Sequence, residues 1–136
     1  AGNYSIHNSQ TLTKTANSNT AVILNIEGED AINNFDEILT VDNADVYFVG
    51  LFDLSKSLGI PGDVSNPEVI DKLKSIIKKA NKYGKHVGTI ATSEEKINQF
   101  LEMGVKYITY SVDCEVLRSG YETVVKTFSE EAPKWS

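Results

Sequence analysis

Four short apolar runs, each followed by a segment with helical periodicity, restrict this chain more than any other feature. The runs are Ala21–Ile26 (AVILNI), Val46–Gly50 (VYFVG), His86–Ala91 (HVGTIA) and Tyr107–Val112 (YITYSV). Near-continuous apolar runs of this kind suit parallel strands buried on both faces. The segments between them repeat apolar residues at helical spacing, so the pattern predicts an α/β protein built as a (βα)4 unit. Four such units make either a small open sheet with helices on both faces or the second half of a (β/α)8 barrel. Periodicity does not choose between the two.

The helix after the second strand has the clearest ends. Asn66 is a good N-cap, Pro67 fits the first helical position, and Glu68 complements the positive end of the helix dipole. Val69, Ile70, Leu73, Ile76, Ile77 and Ala80 then form one stripe, and Gly84 stops the helix as a left-handed residue. After the third strand, Thr92-Ser93-Glu94-Glu95 reads as a capping box, with Ile97, Phe100 and Leu101 inward and Gly104 at the end. Ala31, Ile32, Phe35, Ile38 and Leu39 mark the helix after strand one. Val116, Leu117, Tyr121, Val124, Val125 and Phe128 mark the last helix. Residues 1–20 are a polar N-terminal segment rich in Asn, Ser and Thr, either with a short helix near Ser9–Ala16 or mobile. Residues 21–136 form the domain.

The chain carries 136 residues and a net charge of -6, with Arg118 its one arginine. An acidic chain without clustered Arg is a poor match for nucleic acid. No apolar run approaches the roughly 20 residues that cross a bilayer, and the N-terminus lacks a basic-then-apolar signal pattern. Cys114 is the single cysteine, so no internal disulfide forms. A cytoplasmic, membrane-free protein is the expectation.

Candidate chemistry gathers at the strand ends. Glu27 ends the first strand, and Asp53 lies just past the second, after Gly50 and before a long serine- and glycine-containing loop. Carboxylates at the carboxyl edge of a parallel sheet point to one rim, and Mg²⁺ or Mn²⁺ takes a few carboxylate oxygens together with water and substrate oxygens. Capping of the following helices and pairing with lysine stay open as alternatives for both residues. The Gly50-Leu51-Phe52-Asp53 turn offers backbone N–H groups to a small anion. No GxGxxG or GxxxxGK is present, so a nucleotide cofactor has no support. His86 opens a strand and reads as structural, and His7 has no partner in the sequence. Cys114 reads as a buried spectator, Ser55 and Ser57 as backbone-bonded hydroxyls, Asp113 as a helix cap, and Tyr107 and Tyr110 as packing residues.

The stretch FVGLFDLSKSLGIPG resembles the FIGPxDLSxSLGxPG signature of the HpcH/HpaI aldolase and citrate lyase family. ILNIEGEDAINNFDEIL, NPEVIDKLKSIIKKANKYGKHVGTIA and LEMGVKYITYSVD resemble the family's VxQIExxxAxxNLDEIL, HPxVxxAIxxIxxAAKxxGKxxGTFA and xELGxxFIAxGxD segments, covering roughly residues 20–128. The resemblance implies a (β/α)8 barrel and a metal-dependent carbon–carbon lyase that gives pyruvate and an aldehyde from a 4-hydroxy-2-oxo acid. It places Glu27 and Asp53 as ligands of Mg²⁺ or Mn²⁺. It places the backbone N–H groups of Phe52 and Asp53 on the substrate carboxylate.

The departures are specific. The chain corresponds to strands five to eight of the barrel. The half that carries the family's catalytic His and substrate-orienting Arg is absent, so no catalytic acid–base residue is assigned. Leu51 stands where Pro is usual, and Asn25 where Gln is typical. Three accounts follow: a C-terminal piece of a full enzyme, either cut from the longer chain or expressed beside a partner chain that carries the complementary N-terminal half-barrel; a half-barrel that forms a homo-oligomer; or a non-catalytic assembly or ligand-binding domain. Exposed sheet edges make an unpaired monomer the least favourable form.

Overall fold

The computed structural model describes residues 9–135. A first helix, α1 (Ser9–Asn19), precedes strand β1 (Ile23–Ile26). Two short helices follow, α2 (Gly28–Asn33) and α3 (Phe35–Ile38), and then β2 (Val46–Val49). Helices α4 (Leu51–Ser57) and α5 (Pro67–Lys82) lead to β3 (His86–Ala91). The chain closes with α6 (Glu94–Met103), β4 (Tyr107–Tyr110), α7 (Asp113–Glu131) and a final 3₁₀ turn, Ala132–Trp135.

The four strands are all parallel and lie in sequential order, β1-β2-β3-β4, with Ile23 beside Val46, Val46 beside His86 and Gly88 beside Tyr107. This order decides what periodicity leaves open. A parallel crossover is right-handed, so successive crossovers that step in one direction put every connecting helix on the same face. A sheet with helices on both faces needs a reversal of strand order. The arrangement is therefore the half-barrel form of the (βα)4 unit.

The core lies between the sheet and its helices. Ile26, Tyr47, Val49, Val87 and Ala91 point from the strands into it, against Phe35, Leu54, Val69, Leu73, Ile76, Ile77 and Phe100. Phe35 and Tyr47 meet edge to face at 5.8 Å. Burial raises the Tyr47 phenol above its ordinary value, because its charged form would lose hydration there. Helix α5 begins as the sequence predicts, with the Asn66 side chain accepting the Glu68 N–H at 3.0 Å. Gly84 (φ +66°) and Gly104 (φ +97°) take the left-handed conformation. Ser93 caps α6 by accepting the Lys96 N–H at 3.2 Å. The third helical position is thus Lys96, and the reciprocal carboxylate half of the predicted capping box is missing. Asn34 divides the helix after β1 into α2 and α3.

Four expectations are corrected: Leu101, expected to face inward on α6, is 54% exposed, and three more concern the strands, α7 and Cys114. The strands are covered on one face only. Burial alternates in β1 and β2; in β2, Tyr47 and Val49 are buried and Val46 and Phe48 half-buried. Asn25, Phe48 and Tyr107 lie on the bare face, which would line the interior of a closed barrel. Second, the apolar residues of α7 are all exposed, Phe128 at 72%, because the helix leaves the body of the fold. Third, Cys114 is exposed with it rather than buried.

Two backbone positions show how side-chain size was set. A Cβ on Gly88 would stand 2.9 Å from Cδ1 and 3.1 Å from the carbonyl oxygen of Tyr107, whose ring crosses this position to meet Phe48. Ser111, between β4 and α7, holds φ at +50°, where a Cβ is strained. The family segment resembled by LEMGVKYITYSVD has Gly here. Ser111→Gly is expected to stabilise the fold by about 0.5–1 kcal/mol. Urea unfolding of both chains checks this, and a less stable variant would contradict it.

Candidate active site

Strand register brings the two carboxylates together. Gly50 follows β2 as Glu27 follows β1, and the Gly50 N–H donates to the Ile26 carbonyl at 3.3 Å, aligning the strand ends. The chain then turns directly into α4, so Asp53 sits in the first turn of a helix rather than before a long loop. Leu51, Leu54 and Ser55 are buried at helical spacing, which explains why this segment is helical.

Gly50 stands between the acidic side chains. A Cβ there would be 3.3 Å from Glu27 Oε2 and 3.7 Å from Asp53 Oδ2, so both oxygens border one small space beside Gly50, which a side chain would crowd. Neither carboxylate caps its helix: Glu27 precedes α2 and Gly50 precedes α4 without a side-chain capping bond. Among the described residues neither accepts a side-chain hydrogen bond or joins an ion pair. Both alternatives left open by the sequence, capping and lysine pairing, are therefore absent. A cavity of about 460 Å³ opens here, lined by Glu27, Gly28, Asp53, Lys56 and Ser57.

Two unpaired, converging carboxylates fit a hard divalent cation that completes its shell with water and substrate oxygens. A fully protein-made cage does not form. Among the described residues no group of three or more His, Cys, Asp or Glu side chains gathers for a metal.

The other candidates separate from this rim. His86 begins β3, at the opposite end of the sheet, and is exposed. His7 lies outside the described residues. Arg118, on α7, is occupied by Glu115 and Glu122, whose hydrogen bonds and charges raise its pKa further. The Ser55 and Ser57 hydroxyls donate to backbone carbonyls, Phe52 at 2.6 Å and Leu54 at 2.8 Å, as predicted. Asp113 is the first residue of α7 rather than its N-cap, and it accepts only the adjacent Cys114 N–H. Tyr107 packs on Phe48, whereas Tyr110 is exposed at 54%.

Comparison with known proteins identifies the family. The family model for HpcH/HpaI aldolase/citrate lyase matches residues 4–120. The chain belongs to the HpcH/HpaI aldolase/citrate lyase family. A 4-hydroxy-2-oxo-heptane-1,7-dioate aldolase of Klebsiella pneumoniae is 32% identical over 117 residues, 86% of this chain and 44% of that protein. A 5-keto-4-deoxy-D-glucarate aldolase of Shigella boydii is 30% identical over 115 residues, 85% of this chain and 45% of that protein. The crystal structure of an HpcH/HpaI aldolase from Desulfitobacterium hafniense superimposes with a TM-score of 0.81 at 26% identity, over 94% of this chain and 50% of that one. The chain thus spans about half the length of the HpcH/HpaI relatives it matches.

Sequence reasoning did not single out Lys56 and Ser57 as lining residues. The available signal was their place three and four residues after Asp53, the spacing that puts side chains on one helix face. It also treated Gly50 as a turn residue, when the space beside it is bordered by both carboxylates.

Proposed function

We propose that this chain supplies the metal-binding half of the active site of a carbon–carbon lyase, one that cleaves a 4-hydroxy-2-oxo acid to pyruvate and an aldehyde. The observation that carries this reading is the convergence of Glu27 and Asp53, unpaired, on the space beside Gly50. Glu27 and Asp53 would hold Mg²⁺ or Mn²⁺, and the backbone N–H groups of Phe52 and Asp53 would orient the substrate carboxylate. A bound cation supplies Lewis acidity to the 2-oxo group, favouring the electron-rich state reached as the C–C bond breaks. Among the described residues neither His86 nor Arg118 reaches this rim to serve the proton transfers.

A complementary half-barrel carrying the acid–base groups is therefore part of the proposal. The bare sheet face and the exposed edges β1 and β4 favour such a partner or a second copy. The proposed setting is the cytoplasm. The test mixes the chain with Mn²⁺ and 4-hydroxy-2-oxo-heptane-1,7-dioate, with and without the N-terminal half of the Klebsiella relative, and follows pyruvate release. Release only when both halves and the metal are present is the expected result. No release in the presence of a stable complex of the halves would favour the second reading, a non-catalytic assembly domain whose working surface is the bare sheet face.

A further inference from the structure

Ser55 is fully buried, and its hydroxyl makes two bonds at once. Oγ donates to the Phe52 carbonyl at 2.6 Å and accepts the Gly62 N–H at 3.0 Å. The Ser55 carbonyl also accepts the Ile60 N–H at 3.0 Å. One residue thus joins the first turn of α4 to the Gly59–Gly62 loop through side chain and backbone together. The loop folds back over the same turn, since a Cβ on Gly62 would be 3.7 Å from the Phe52 ring, and Gly62 holds φ at +85°. Ser57 makes the same bond to a carbonyl three residues earlier but no bond across the loop. The bridge is therefore particular to Ser55 and is more than the ordinary habit of a serine in a helix.

The atom that Ser55 holds matters. The Phe52 carbonyl and the Asp53 N–H and Cα belong to one planar peptide unit, so fixing the oxygen fixes where the Asp53 side chain starts. We propose that Ser55 is a positioning residue for the cation site, its hydroxyl bridging Phe52 and Gly62 so that Asp53 meets Glu27 beside Gly50. This inference rests on the metal reading of those carboxylates and adds the part that keeps them in register. Groups that orient metal ligands commonly govern affinity about 10–100-fold.

The test is Mn²⁺ binding to the full chain by isothermal titration, for wild type, Ser55→Ala and Ala80→Gly. Ala80 is buried in α5, so its variant loosens the fold away from the site and serves as the stability control. Ser55→Ala is expected to bind Mn²⁺ at least about tenfold more weakly than wild type. Ala80→Gly is expected to bind as wild type does. In amide exchange, the Gly62 N–H of Ser55→Ala should lose protection. If Ser55→Ala does not fold, Ser55→Cys, which keeps the size and weakens both bonds, is read in its place. Unchanged Mn²⁺ affinity in the serine variant overturns the proposal, as does an equal loss in Ala80→Gly. A wild type that binds no Mn²⁺ overturns the metal reading itself, an outcome separate from either.

Discussion

Asp53→Ala is expected to abolish saturable Mn²⁺ binding while leaving the metal-free fold nearly as stable as before. Among the described residues Asp53 supplies one of two carboxylates at the cavity, and Glu27 alone is a weak ligand for a hard cation that requires several oxygens. The Asp53 side chain makes no hydrogen bond or ion pair, so its removal breaks neither. It also relieves the crowding of two negative charges, which offsets the lost interaction with the start of α4. The metal-free stability should therefore stay within about 0.5 kcal/mol of wild type. With Mn²⁺ at 100 times its dissociation constant, wild type gains about 2.7 kcal/mol and Asp53→Ala gains nothing. Titration calorimetry and thermal unfolding with and without Mn²⁺ measure both quantities. Equal heats from the two proteins would remove Asp53 from the site. The combination is diagnostic, because a carboxylate kept for folding would show the opposite pattern.

Phe35→Ala is expected to cost about 3–5 kcal/mol, the range for truncating a fully buried aromatic. Phe35 is 0% exposed and meets the Tyr47 ring at 89°. Its loss leaves a cavity under β2, the strand that leads to Gly50 and Asp53. Tyr47 cannot turn into that space without giving up its long bond, 3.4 Å, from the phenol to the Ile38 carbonyl. Native domains have only about 5–15 kcal/mol to lose. Urea unfolding should show the midpoint falling sharply, with Phe35→Leu recovering most of the loss. A cost below about 1 kcal/mol would mean that this part of the core repacks freely.

Much of the fold was legible because local chemistry wrote it. Asn66, Pro67 and Gly84 bound α5 because capping and φ preferences act within a few residues. The four strands followed from their apolar runs. The α4 helix was missed because a seven-residue helix opening on Gly50, with no capping side chain, has no terminal signal. The exposure of Cys114 and of the α7 stripe was missed for another reason. Periodicity tells which residues share a face, but not whether anything covers that face.

The division is sharpest at the site. From residue order alone came the alternating elements, the family resemblance, and the identity of Glu27 and Asp53 as the carboxylates at strand ends. Only the tertiary structure placed both oxygens beside Gly50 and found them without partners. The half-barrel, which periodicity left open and the family resemblance implied, is seen directly in the sequential order β1-β2-β3-β4. The physical reason is range. Capping, turn chemistry and hydrophobic spacing are decided by neighbours in the chain. Strand order and the meeting of two carboxylates 26 positions apart depend on pairing between distant segments, which no local preference records.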